Sequence, residues 1–184
     1  MRRKGFTIVE LLMVIGILSV LITIVTTASA GAIKQARVHK ADTLVKMIES
    51  GIATYYAQTD TWPDFDPDGK TGNYRMSSGT VDPDRYQLSD TESDAMIREM
   101  IRKSVSGTAN PLIDITGLFV ARNGMITDKT YGMDFQQALR GTKKSPKKMK
   151  INDMMFGYPD AETGRFRRFK IVYSIPTDQI TVTK

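Results

Sequence analysis

The chain has no cysteine and a single histidine, His39, among its 184 residues. The first absence excludes disulfides, a thiol nucleophile and a thiolate metal site, and says nothing against an oxidising compartment. The second leaves no basis for a histidine triad or a histidine-ligated zinc. Neither a G-x-S-x-G nor a Walker A sequence is present. Charge is missing from one long stretch. From Phe6 to Val25 the residues are Phe, Ile, Val, Leu, Met and Gly, broken only by Thr7, Glu10, Ser19 and Thr23. No proline interrupts this run.

As a helix the run measures roughly 30 Å, enough to cross a bilayer core. A carboxylate deep in such a span costs on the order of 2.5–3.5 kcal/mol on insertion scales. Glu10 lies near the end of the span, so its penalty is smaller, yet it still needs a partner. The nearby basic groups, Arg2, Arg3 and Lys4, form a short leader that ends at Gly5. They carry half of the formal net charge of +6. By the positive-inside rule they hold the N-terminus on the cytoplasmic side. An ordinary secretory signal has a longer basic region and a small-residue cleavage site after its apolar core. Thr26-Thr27-Ala28-Ser29-Ala30 imitates such a site only weakly.

The order basic leader, Gly5, Phe6, Thr7, Ile8-Val9, Glu10, Leu11-Leu12 resembles the class III signal of type IV pilins and type II secretion pseudopilins, without a gap from Lys4 to Leu12. The resemblance implies that a prepilin peptidase cuts between Gly5 and Phe6 and that the new amino terminus of Phe6 is methylated. It also implies that Glu10 neutralises the Phe6 ammonium of a neighbouring subunit during assembly. The plainer reading of Glu10 is local: it is one turn from Phe6, and an acid in the first turn suits the helix dipole. If the pair is shared between subunits, breaking it costs of order 3–5 kcal/mol, as for a buried charge stripped of its partner.

Beyond the span, Val38, Ala41, Val45, Ile48, Ile52 and Tyr55 recur at spacings of three and four, widened by Leu44 and Tyr56. This is one apolar stripe of an amphipathic helix. Thr26 to Gly31 is a weak patch for helix, and a continuous helix from Phe6 to about Ala57 is expected, loosened at most near Gly31. Its length, roughly 75–80 Å, exceeds what a head of this size buries, so only its second half packs on the head. His39 falls outside the stripe and is read as exposed. Pro63 disfavours helix at Trp62. Tyr55-Tyr56 followed by Trp62-Pro63 resembles the post-helix segment of major pseudopilins, and Trp62 is read as a lid over the core.

Asp64, Asp66 and Asp68, followed by Gly69, give the first half of a calcium loop. The twelfth position is Arg75 instead of Glu, which leaves Asp82 or Asp84 to supply the missing oxygen. The competing reading is an Asp/Pro/Gly turn. Residues 70–90 read as loop. Thr91-Glu92-Ser93-Asp94 signals a helix over 92–105 with Met96, Ile97, Met100, Ile101 and Val105 on its apolar face, stopping at Gly107. Leu118–Ala121 reads as a strand, Arg122–Gly124 as a turn, Met125–Thr127 as its return, and Phe135–Leu139 as a short helix. Lys143, Lys144, Lys147, Lys148 and Lys150 make a basic run interrupted by Ser145-Pro146. It reads as a solvated loop or, alternatively, as a contact for nucleic acid or anionic lipid. Arg168–Ile175 and Ile180–Thr183 form a hairpin across Pro176–Gln179. The Asp-Pro-Trp-Gly stretch of the secretion family is absent at Phe156–Asp160.

The organisation is therefore a leader (1–5), a transmembrane and assembly helix (6–28), the amphipathic half of that helix (29–58) and a head (59–184). The fold class is α+β: a long N-terminal helix on a small antiparallel sheet, like the pilin fold. The function implied by the resemblance is a structural filament subunit, not an enzyme, in the inner membrane with its head outside the cytoplasm. Implied partners are other pseudopilins, a prepilin peptidase and methylase, an assembly platform and the bilayer. No cofactor is implied other than Ca2+ at the aspartate loop. The alternative is a minor or DNA-uptake pilin using the lysine run.

Overall fold

The structure, a computed structural model, describes residues 7–105, 112–122, 131–140 and 148–184. The chain divides into two units, Met1–Ala36 and Arg37–Lys184. Helix α1 (Ile8–Thr59) contributes to both, and no break occurs at Gly31.

In the first unit the large apolar side chains from Ile8 to Val25 are exposed, Ile8 at 78% and Ile24 at 59%. Its hydroxyl groups turn inward on their own backbone: Ser19 donates to the Ile15 carbonyl (2.8 Å), Thr23 to Ser19 (2.9 Å) and Ser29 to Val25 (2.7 Å). Back-bonding of this kind hides a polar group from hydrocarbon.

In the second unit the predicted stripe is the helix face that enters the core. Ala41, Leu44, Ile48, Ile52 and Tyr55 are buried, and His39 is exposed as its position off the stripe requires. Gly51 lies on this face. A Cβ there would collide with Ile113 Cγ2 and come 3.0 Å from the Leu112 carbonyl oxygen, so the absent side chain lets the helix approach that segment. Helix α2 (Asp90–Val105) begins two residues earlier than its sequence signal suggested. Ser89 is its cap. Glu92 accepts from the Ser89 amide (2.8 Å) and hydroxyl (2.9 Å), while the Glu92 amide donates back to the Ser89 hydroxyl (3.3 Å). The operative capping box is thus Ser89–Glu92, not the Thr91–Asp94 stretch. Met96, Ile97, Met100 and Ile101 are almost fully buried.

Among the described residues three antiparallel sheets complete the unit, where a single small sheet was expected. Tyr74–Arg75 (β1) pairs with Val81–Asp82 (β2). Arg85–Gln87 (β3), Lys170–Ser174 (β8) and Gln179–Thr183 (β9) form a sheet in the order β3-β8-β9. The third sheet has the order β5-β4-β6-β7, from Met133–Asp134 (β5), Phe119–Arg122 (β4), Met154–Pro159 (β6) and Phe166–Arg168 (β7). Helix α3 (Phe135–Arg140) follows β5, as the sequence indicated.

Several expectations change. The 70–90 loop contains three short strands; two or three residues are too few to display an alternating pattern, and β3 is specified by its pairing with β8, Tyr86 opposite Tyr173. The single strand expected over 168–175 is two. The chain leaves one sheet at Arg168 and enters the other at Lys170, with Phe169 buried at the switch. Arg122 belongs to β4 instead of a turn, and the expected return strand at Met125–Thr127 lies outside the described residues, as does the Gly107 helix stop.

Polar ties join these layers. Asp94, buried on α2, accepts from the Phe156 amide (3.0 Å) on β6 and from Arg168 Nη1 (3.1 Å) on β7. Burial pushes its carboxyl up, against the opposing pull of those two partners. Glu49 on α1 accepts from the Val182 amide (3.0 Å), and Arg37 donates to the Glu162 carbonyl (2.9 Å).

Candidate functional site

Two places concentrate chemistry. The first is the start of α1. The Thr7 amide donates to Glu10 Oε2 at 2.9 Å, the Thr7 hydroxyl to the same oxygen at 2.8 Å, and the Glu10 amide to the Thr7 hydroxyl at 3.3 Å. This is a reciprocal capping box, with Thr7 as the cap and Glu10 three residues on. It satisfies two amides at the helix start, that of Thr7 on the carboxylate and that of Glu10 on the Thr7 hydroxyl. It brings no cation to the carboxylate: among the described residues Glu10 forms no ion pair. Gly5 and Phe6, the expected cleavage and methylation residues, lie outside the described residues.

The second is a cavity of about 420 Å3 in the second unit, where α1 ends against the β8–β9 turn. Its apolar wall is Tyr56, Trp62 and Phe65, with Tyr56 and Trp62 stacked at 4.2 Å between ring centroids. Its rim carries Asp60, Asp66, Asp68 and Asp178, and no Lys or Arg lines it. Asp178 is held by three ring donors: Trp62 Nε1 (3.1 Å) and the Tyr173 hydroxyl (3.0 Å) on Oδ1, and the Tyr56 hydroxyl (3.1 Å) on Oδ2. The bond from Trp62, joined by those from Tyr173 and Tyr56, keeps this carboxyl below the usual aspartate range despite some burial. Asp60 and Asp178 both adopt left-handed backbone, φ 54° and 47°, which Asp tolerates better than most residues. Trp62 is half-buried and also meets Tyr173 edge-on at 6.4 Å, so its role as a lid over the core stands beside a share in the cavity wall.

The structure separates the three proposed calcium ligands. Asp66 and Asp68 border the cavity, and Asp64, φ 48°, does not. Asp66 Oδ1 accepts from the Asp68 amide at 3.0 Å, the bond of an Asp turn. Asp82 likewise accepts from the Asp84 amide at 3.0 Å. Among the described residues no group of three or more His, Asp or Glu side chains is placed to hold a metal. Of the lysine run, Lys143, Lys144 and Lys147 lie outside the described residues, and Lys148 and Lys150 are exposed. Sequence reasoning missed Asp178 as a partner of Trp62. Their contact is made across more than a hundred residues of chain, and no local pattern announces it.

Residues 1–26 match the family model of the prokaryotic N-terminal methylation motif, the class III signal of type IV pilins and pseudopilins. No curated protein and no solved structure matches the chain. The motif runs into a helix, Ile8–Thr59, long and apolar enough to span a membrane, and small antiparallel sheets follow it. Motif and architecture together support a type IV pilin-like protein with an N-terminal membrane anchor.

Proposed function

We propose that this chain is a pseudopilin-like structural subunit of a type II secretion system or a related type IV filament. A prepilin peptidase removes residues 1–5, Phe6 becomes the methylated amino terminus, and the mature subunit rests in the inner membrane with Arg37–Lys184 outside the cytoplasm. An assembly platform then draws subunits into a helical filament through α1. The observation that carries this reading is a methylation motif, residues 1–26, that takes in an exposed apolar helical stretch whose one acid is Glu10. The work done is mechanical: apolar helices bundle, and Glu10 sets their stagger by meeting the Phe6 ammonium of the next copy.

Intact mass of the membrane-extracted protein tests the processing. A product lacking residues 1–5 and carrying one added methyl group is expected. A chain that retains its leader in cells with an active prepilin peptidase contradicts the proposal.

A further inference from the structure

The cavity beside Trp62 has a chemistry that a structural lid does not need. A stacked Tyr56–Trp62 pair presents aromatic surface, and its neighbour Phe65 already takes part in a cation contact: the Lys70 ammonium lies 5.6 Å from the Phe65 ring centre and 4.9 Å from that of Tyr86. The charged groups that line the cavity beside Tyr56, Trp62 and Phe65 are all carboxylates, in a chain whose formal charge is +6. Aromatic faces and carboxylates around a space of about 420 Å3 favour an organic cation and repel anions. The Asp178 carboxylate is bonded to three neutral ring donors and so keeps its full negative charge.

We infer that this cavity receives the lysine run Lys143–Lys150 of a second copy of the chain. The run is the complement on the same sequence: five lysines in eight residues with no acid among them. The two at its described end, Lys148 and Lys150, are exposed. The contact rests on the filament reading only in that assembly brings copies side by side; the docking itself is a property of Arg37–Lys184.

The test uses the full chain carrying Glu10→Ala, in detergent micelles, so that assembly through α1 does not enter the readout. A synthetic peptide with the sequence of residues 141–150 is titrated in, and the fluorescence of Trp62, the single tryptophan, is followed. A saturable change is expected, weakened about tenfold or more by Asp66→Asn with Asp68→Asn, and by raised salt. Asn keeps the acceptor that Asp66 offers the loop, so the variant retains its turn. A peptide with every lysine replaced by glutamine is expected to have no effect. In the full-length protein without the Glu10 change, carbodiimide coupling of a mixture of light and heavy-isotope copies is expected to join Asp66 or Asp68 peptides to the lysine run in mixed-isotope pairs. Three results overturn the inference: no fluorescence change at millimolar peptide, a change indifferent to the Asn substitutions, or couplings found only within one copy. A response to arginine amide but not to the peptide also overturns it, by assigning the cavity to a different cation.

Discussion

Glu10 and Glu92 occupy the same local geometry. Each stands three residues after a hydroxyl-bearing cap, takes that residue's amide and hydroxyl on one carboxylate oxygen, and has its own amide bonded back at 3.3 Å. Beyond the box they part. Glu92 also receives the Lys70 ammonium at 2.8 Å and the Tyr86 hydroxyl at 3.1 Å. Burial pushes its carboxyl up, but Lys70, Ser89 and Tyr86 outweigh that and leave its pKa at about 2. Glu10 stands among exposed Ile8, Val9, Leu11 and Leu12 with no such cation among the described residues. The difference teaches that a cap settles the amides of a helix start and leaves the charge to be settled elsewhere. The head does so within its own fold; at the start of the apolar helix no cation among the described residues does so, and the proposed assembly contact at Glu10 would supply one.

The largest expected effect tests that division directly. Glu10→Ala and Glu10→Gln are both expected to reduce incorporation into sheared or sedimented filaments by about tenfold or more, as a lost buried ion pair predicts. Gln keeps an acceptor for Thr7 and loses only the charge. Wild-type incorporation of Glu10→Gln would show that the cap alone matters, and the contrast with Glu92 would fail.

Next comes Asp94→Ala, which strips Arg168 of its buried partner and leaves the Phe156 amide unpaired. Thermal melts followed by Trp62 fluorescence are expected to show a loss of about 3 kcal/mol, softened by the Asp90 carboxylate that also meets Arg168 at 3.3 Å. Ile48→Ala is expected to cost about 2–4 kcal/mol in the same melts, because Ile48 is fully buried. Ile17→Ala, on the exposed half of the same helix, is expected to leave the melt unchanged and to weaken only assembly.

Smaller still is the charge of Glu92. Its side chain is 26% exposed, so solvent screening limits the pair with Lys70 to about 1 kcal/mol. A depressed carboxylate stabilises the fold above its unfolded value of 4.5, and that contribution fades as pH falls towards about 2. Acid melts between those limits are expected to fall less steeply in Glu92→Gln than in the parent chain. Parallel slopes would show that the Glu92 charge contributes nothing to the fold. The smallest effect belongs to Thr7→Ala, which removes a cap worth about 1 kcal/mol to its own helix and is expected to leave the head's melting point untouched.

The helices were legible because their signals are local. The stripe from Ala41 to Tyr55, the apolar face of α2 and the class III signal are all written in neighbouring residues. The β8–β9 hairpin shows itself by β-branched residues around a proline turn. β4 also shows itself, read over Leu118–Ala121 and found at Phe119–Arg122. The remaining strands do not. In β6 Met154, Met155, Phe156, Gly157 and Pro159 are all buried, so no alternation marks the strand. In β8 Ile171, Val172 and Tyr173 are buried in succession, which hides the change of sheet at Phe169. The aspartate loop was visible as a cluster of acids, but only two of its three predicted ligands face the cavity. The residue that organises the cavity, Asp178, sits in the turn of a distant hairpin, and only the folded chain brings it to Trp62.

The hydroxyls of the first unit carry one more consequence. Ser19, Thr23 and Ser29 each donate their one hydroxyl proton to a carbonyl of their own helix, so none has a donor left for a neighbour. If copies assemble through α1 as proposed, these hydroxyls donate nothing across the seam between helices, and the register of the fibre falls to the carboxylate near the tip.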